Sequence, residues 1–140
     1  MIRTFFAALF ALSLAAPAAA QEKVAVMYKA AGCGCCDGHA EHLRANGYKV
    51  RVVELADLDP VKRKHSVPER HQGCHTIEVG GYVVEGHVPA KIIDKLLAEK
   101  PKIKGISLPG MPDGSPGMSG TKTEPFKVFE IGSDKIYAVE

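Results

Sequence analysis

Three of the four cysteines stand within four residues, Cys33-Gly34-Cys35-Cys36, and the fourth, Cys74, lies far along the chain in Gly73-Cys74-His75-Thr76. A structural disulfide framework spreads its cysteines to tie distant segments together. Three thiols at one point, where at most two can pair easily, read as a reactive or metal-binding sulfur site first and a staple second. Four cysteines allow three connectivities. Two of them join a cluster member to Cys74 and close Cys33–Cys36 or Cys33–Cys35. The third requires a vicinal Cys35–Cys36 bond, which is strained, whereas Cys33–Cys36 has ordinary CxxC spacing.

The spacing also selects among metals. A single tetrahedral zinc takes well-spaced CxxC-type pairs, but adjacent Cys35 and Cys36 diverge and suit bridging between ions of a small cluster. Soft thiolates favour Cu(I), with zinc and iron–sulfur next. Four thiolates carry about −4, and about four Cu(I) would leave a neutral core that is less costly to bury. Met111 and Met118 bracket a Gly/Pro loop. Their thioethers bind Cu(I) and form no disulfides; the competing reading is gap-filling in a core. His75, beside Cys74, and His87, in Glu85-Gly86-His87-Val88-Pro89, are candidate metal ligands or partners of ligands, with ordinary hydrogen-bonded histidines as the alternative. His39, one turn beyond Cys36, is a better candidate than His42, and His65 and His71 read as exposed. No residue has a definable catalytic role. The carboxylates form no recognisable pair, and Gly110–Gly117 lacks a lysine and opens no helix, so it is no phosphate cradle.

The elements that must position these groups follow from hydrophobic period and turn residues. Val24 to Tyr28 reads as a strand buried on both faces. The cysteine loop follows, then a helix over Asp37–Ala45 stopped by Asn46-Gly47. Tyr48 to Leu55 is a second strand, so strand, helix and strand form a βαβ unit with parallel strands. Asp59-Pro60 opens a short helix to about His65. His75–Val79 and Tyr82–Glu85 flank Gly80-Gly81 as a hairpin. Pro89–Lys100 is a helix with an apolar stripe of Ile92, Ile93, Leu96 and Leu97. The order β-α-β-α-β-β-α is the thioredoxin-like arrangement, an α/β single domain. It places the cysteine cluster where the first strand meets the helix N-terminus, a position that favours thiolate, and it brings the start of the third strand, with Cys74, towards the same edge. From Ile106 to Gly120 the chain reads as an irregular Gly/Pro/Met-rich loop. Phe126–Ile131 and Lys135–Val139 read as a C-terminal hairpin.

Arg3, the apolar run Phe5–Leu14 and the small residues Ala15–Ala20 have the form of an export signal, cut after Ala20 to leave residues 21–140 as one domain. The apolar run is shorter than the roughly 20 residues of a spanning helix, so no membrane span is expected in the mature form. The 18 basic and 16 acidic side chains are interspersed, and Trp is absent. This composition argues against a nucleic-acid partner. Export also means an oxidising compartment, where free thiols tend to pair.

Cys33-Gly34-Cys35-Cys36, Gly73-Cys74-His75-Thr76, Gly80 through Ala90 and Leu108 through Met118 together resemble the CopG-like family of small exported copper-resistance proteins, a metal-binding domain with a CxCC motif. The resemblance implies a thioredoxin-like fold, a multi-copper thiolate cluster on Cys33, Cys35, Cys36 and Cys74, and a periplasmic role in copper handling with Cu(I)/Cu(II) interconversion. Met111, Met118, His75 and His87 fall in its other recurrent motifs. One departure is visible: an aromatic residue often stands three positions after the CxCC, where this chain has His39. The leading expectation is therefore a periplasmic Cu(I)-binding protein of copper resistance, acting with copper-efflux or copper-carrier proteins, with copper oxidoreductase activity left open. The alternatives are a thiol–disulfide oxidoreductase using Cys33 and Cys36, resolved by Cys35 or Cys74, and a disulfide-stapled binding module.

Overall fold

A computed structural model describes residues 22–140. The expected signal segment, residues 1–20, lies outside the described residues. The elements run β1 (Lys23–Ala30), α1 (Gly34–Ala45), β2 (Tyr48–Leu55), α2 (Asp59–Lys64), a 3-10 turn at Glu69–His71, β3 (His75–Val79), β4 (Tyr82–Gly86), α3 (Ala90–Glu99), β5 (Gly105–Leu108), β6 (Lys127–Glu130) and β7 (Ile136–Val139). Together they form a mixed α/β domain around one seven-stranded sheet, ordered β2-β1-β3-β4-β5-β6-β7. β1 and β2 are parallel, as the intervening helix requires. β3 runs antiparallel to both β1 and β4.

β1 buries one face rather than both. Ala25 and Met27 enter the core, while Val24 is 49 % exposed. The other face, with Val24, Val26 and Tyr28, is only partly covered: Tyr28 donates to Glu78 at 3.1 Å, and His65 on the α2 side lies 2.7 Å from the same carboxylate. On the core face Leu43, Ile77, Ile93, Leu96, Ile106 and Val128 are buried in one cluster. Removing one such Leu or Ile side chain from water contributes about 1.5–3 kcal/mol. In α3 the period holds: Ile92, Ile93 and Leu96 are buried, and Lys100, in the left-handed conformation before Pro101, ends the helix.

The chain from Ile106 is not irregular at its start. Gly105–Leu108 forms β5, buried throughout and parallel to β4, with α3 as the crossover. Ile-Ser-Leu is too short to show a period of its own, and its burial comes from the neighbours on both sides. The C-terminal hairpin exists as β6 and β7, and pairing of β6 with β5 makes it part of the main sheet. Among the described residues no helix is long and apolar enough to cross a membrane.

Candidate metal centre

Cys33 is the N-cap of α1, so Cys35 and Cys36 lie in its first turn, where unpaired N–H groups and the helix dipole present positive charge. Cys74 immediately precedes β3. The β3–β4 register pairs Thr76 with Glu85, and continuing it outward sets Cys74 opposite His87. The two backbones approach closely there because both preceding residues are glycine: a Cβ on Gly73 would lie 2.7 Å from the Gly86 Cα.

The four sulfurs converge, all within 4.8 Å of one another. Cys33 and Cys36 are joined as a disulfide, whereas Cys35 and Cys74 are free. Cys35 Sγ lies 3.5 Å from Cys33 Sγ and 3.9 Å from Cys74 Sγ. Cys74 Sγ lies 3.5 Å from Cys36 Sγ. Of the three connectivities, the CxxC bond is the one present, and the second pair stays open.

Three fully buried imidazoles adjoin this group: His39, His75 and His87. His87 donates its Nδ1–H to the Pro116 carbonyl at 2.7 Å, which leaves the Nε2 lone pair 2.9 Å from Cys74 Sγ. His75 Nδ1 is 3.3 Å from the same sulfur. Burial keeps the imidazoles neutral. It pushes His39 down to about 3 against the pull of the Val88 carbonyl, holds His75 well below the ordinary histidine range, and lowers His87. Cys74 is pushed up to about 12, first by burial and then by the neighbouring Cys35. At neutral pH Cys74 is thus a thiol whose single proton faces two imidazole nitrogens. A soft cation in the proton's place would engage sulfur and nitrogen lone pairs together.

The Gly/Pro loop closes over this end of α1. Gly117 packs backbone to backbone on the helix, and a Cβ on Gly38 would come 2.9 Å from the Gly117 Cα. Gly117 has φ +84°, and a Cβ there would collide with the Cys35 carbonyl and the His39 nitrogen. Gly117→Ala therefore loosens the loop and the Pro116–His87 contact; we expect a loss of about 2 kcal/mol or more, read as a melting temperature lower by roughly 8 °C. Met118 follows directly and is half-buried, with its N–H on the Ser115 carbonyl at 2.8 Å. Met111 is 39 % exposed.

Charged residues that look like surface residues in the sequence support the site. Lys62, on α2, is buried against Glu85, which is fully buried on β4. Glu85 Oε1 accepts from the Gly73 N–H at 2.8 Å, its Oε2 accepts from the Thr76 hydroxyl at 2.7 Å, and Lys62 donates to the Gly73 carbonyl at 3.0 Å. The segment carrying Cys74 and His75 is thus held on both sides. Buried Lys29 sits 3.0 Å from both Asp37 and Glu54, tying the first turn of α1 to β1 and β2. His71, expected at the surface, is also buried; the 3-10 turn folds it inward near Phe129. A surface cavity of about 940 Å³, lined by Lys23, Tyr82 and Leu97, lies at the opposite end of β1, away from the sulfurs.

Residues 71–118, which span Cys74, His75, His87 and both loop methionines, match a family model described as a protein of unknown function, DUF411. No curated protein matches the chain. Two solved structures do: a copper resistance protein CopG in form 2, with 38 % identity and a TM-score of 0.79 over 86 % of this chain and 99 % of that one, and the same-named protein in form 1, with 37 % identity and a TM-score of 0.77 over 86 % and 98 %. With that identity along nearly the whole of the solved chains, and with the sulfur cluster described above, the chain belongs to the CopG family of copper resistance proteins.

Proposed function

We propose that this is an exported periplasmic protein that holds Cu(I) in a multi-copper thiolate cluster, serves copper resistance, and interconverts Cu(I) and Cu(II). The carrying observation is the convergence of four sulfurs within 4.8 Å, with two imidazoles against Cys74. That donor set is soft and suits Cu(I). Cys33, Cys35, Cys36 and Cys74 are the sulfur ligands, His75 and His87 add nitrogen, and Met118 and Met111 are the thioether ligands brought by the loop. Residues 1–20 are the export signal and residues 21–140 the metal-binding domain. A thioredoxin-like core is supported by the order β2-β1-β3-β4 with β3 antiparallel to its neighbours. Copper ions are the cargo, exchanged with copper-efflux or copper-carrier proteins.

The redox step has a balanced form. Cys33 and Cys36 thiolates join as the disulfide and release two electrons, which reduce two Cu(II) to two Cu(I). Reopening the bond takes two electrons from an external reductant and regenerates the two thiolates.

The Cys33–Cys36 bond at the start of α1 also favours a second reading, thiol–disulfide exchange. Cys35→Ser separates the two. For the copper protein, bound Cu(I) falls from about four to two or fewer, because a bridging ligand is lost. For the oxidoreductase, Cys35→Ser keeps disulfide exchange with a test substrate while Cys33→Ser abolishes it.

A further inference from the structure

We propose that His39 is a positioning residue: it fixes His75 in the tautomer whose Nδ1 lone pair faces Cys74, and so prepares that nitrogen as a ligand. The consequence for copper rests on the function proposed above, but the tautomer itself is a property of the metal-free protein.

Donors and acceptors form one chain of contacts from Val88 through His39 and His75 to Cys74. The Val88 carbonyl can only accept, and it lies 2.9 Å from His39 Nε2, so that nitrogen carries the proton. His39 is fully buried, and its ring nitrogens contact Val88 and His75, neither of them a carboxylate. Without a counter-charge a buried imidazole is neutral, so His39 Nδ1 carries a lone pair. Nδ1 lies 2.7 Å from His75 Nε2, a distance at which two lone pairs would repel, so the proton between them belongs to His75 Nε2. Neutral His75 then has its lone pair on Nδ1, 3.3 Å from Cys74 Sγ. His87 reaches the same condition by another route, its Nδ1–H being held by Pro116. The bond to Val88 also anchors His39 to the residue after His87.

If His39 is replaced by an apolar residue, the His75 Nε2–H has no acceptor while Cys74 sulfur remains one for Nδ1–H. The proton then moves to Nδ1, and the nitrogen facing the sulfurs is blocked. Asn restores an acceptor, since its Oδ1 lies at the same side-chain branch as Nδ1.

The test is long-range ¹H–¹⁵N correlation of the imidazoles in reduced, metal-free protein, paired with Cu(I) competition against a chelator. The wild type is expected to show His75 protonated at Nε2 and bare at Nδ1. His39→Leu is expected to move the proton to Nδ1, keep the copper count, and weaken Cu(I) binding about tenfold, the usual effect of losing a partner that orients a ligand. His39→Asn is expected to keep the wild-type tautomer and bind within about threefold of wild type. If Leu does not fold, His39→Phe, with no metal-binding atom, supplies the same apolar test. An unchanged His75 tautomer in the apolar variant overturns the proposal. So does loss of one bound copper in both variants, which would make His39 itself a ligand. A wild type that binds no Cu(I) defeats the copper function, and the tautomer measurement then decides this proposal alone.

Discussion

Reduced and titrated anaerobically, the protein is expected to take up about four Cu(I) with all four thiols protected, whereas the disulfide form is expected to take no more than about two, at Cys35 and Cys74 with the histidines. The difference follows from charge and donor count. Opening the Cys33–Cys36 bond doubles the thiolates available and supplies the negative charge that balances further Cu(I) ions. Uptake also displaces thiol protons, so affinity rises with pH. Cys74, pushed up to about 12 by burial and by Cys35, stays protonated in the metal-free state across the whole neutral range. Each pH unit below that value therefore costs up to about tenfold in binding at this one ligand. Copper counting by absorbance, thiol labelling and proton release in weak buffer check the three parts separately. Equal uptake by the two redox forms would remove Cys33 and Cys36 from the ligand set and separate the disulfide from copper chemistry.

The sulfur site was legible in the sequence because strong local signals fix it. Gly80-Gly81 sets the β3–β4 hairpin and its register, which brings Cys74 to the cysteine edge, and Asn46-Gly47 ends the helix that begins at the CxCC. Histidines 75 and 87 could be named from their places beside Cys74 and at the end of β4. What sequence could not give is the environment supplied by distant elements. β5 is three ordinary residues after a glycine, and only its pairing with β4 and β6 makes it a strand. Lys29 and Lys62 look like surface charges until their carboxylate partners on other elements are in place. His71 is buried by a turn that no apolar period announces. His39 was visible as a histidine one turn past the cluster, but its two hydrogen bonds are to residues 36 and 49 positions away.

Breaking the buried Lys62–Glu85 pair is expected to have a large effect on stability. Lys62→Met leaves the Glu85 carboxylate fully buried without a counter-ion and removes the donor to the Gly73 carbonyl. Breaking such a pair from one side costs about 3–5 kcal/mol, which for a domain of this size corresponds to a melting temperature lower by roughly 10–20 °C. The penalty is mostly the stranded charge, so it should shrink when the charge is removed. Glu85→Gln in the Lys62→Met background keeps an acceptor for the Gly73 N–H and a polar partner for Thr76. The double variant is therefore expected to recover at least half of the loss, a coupling measured by a double-mutant cycle in reversible thermal or urea unfolding. If Lys62→Met alone costs less than about 1 kcal/mol, the ammonium contributes no more than a surface ion pair. The Gly73–Cys74 segment must then be held by the Glu85 bonds to Gly73 and Thr76, the Gly73–Gly86 backbone contact and the β3–β4 register, without help from the ammonium.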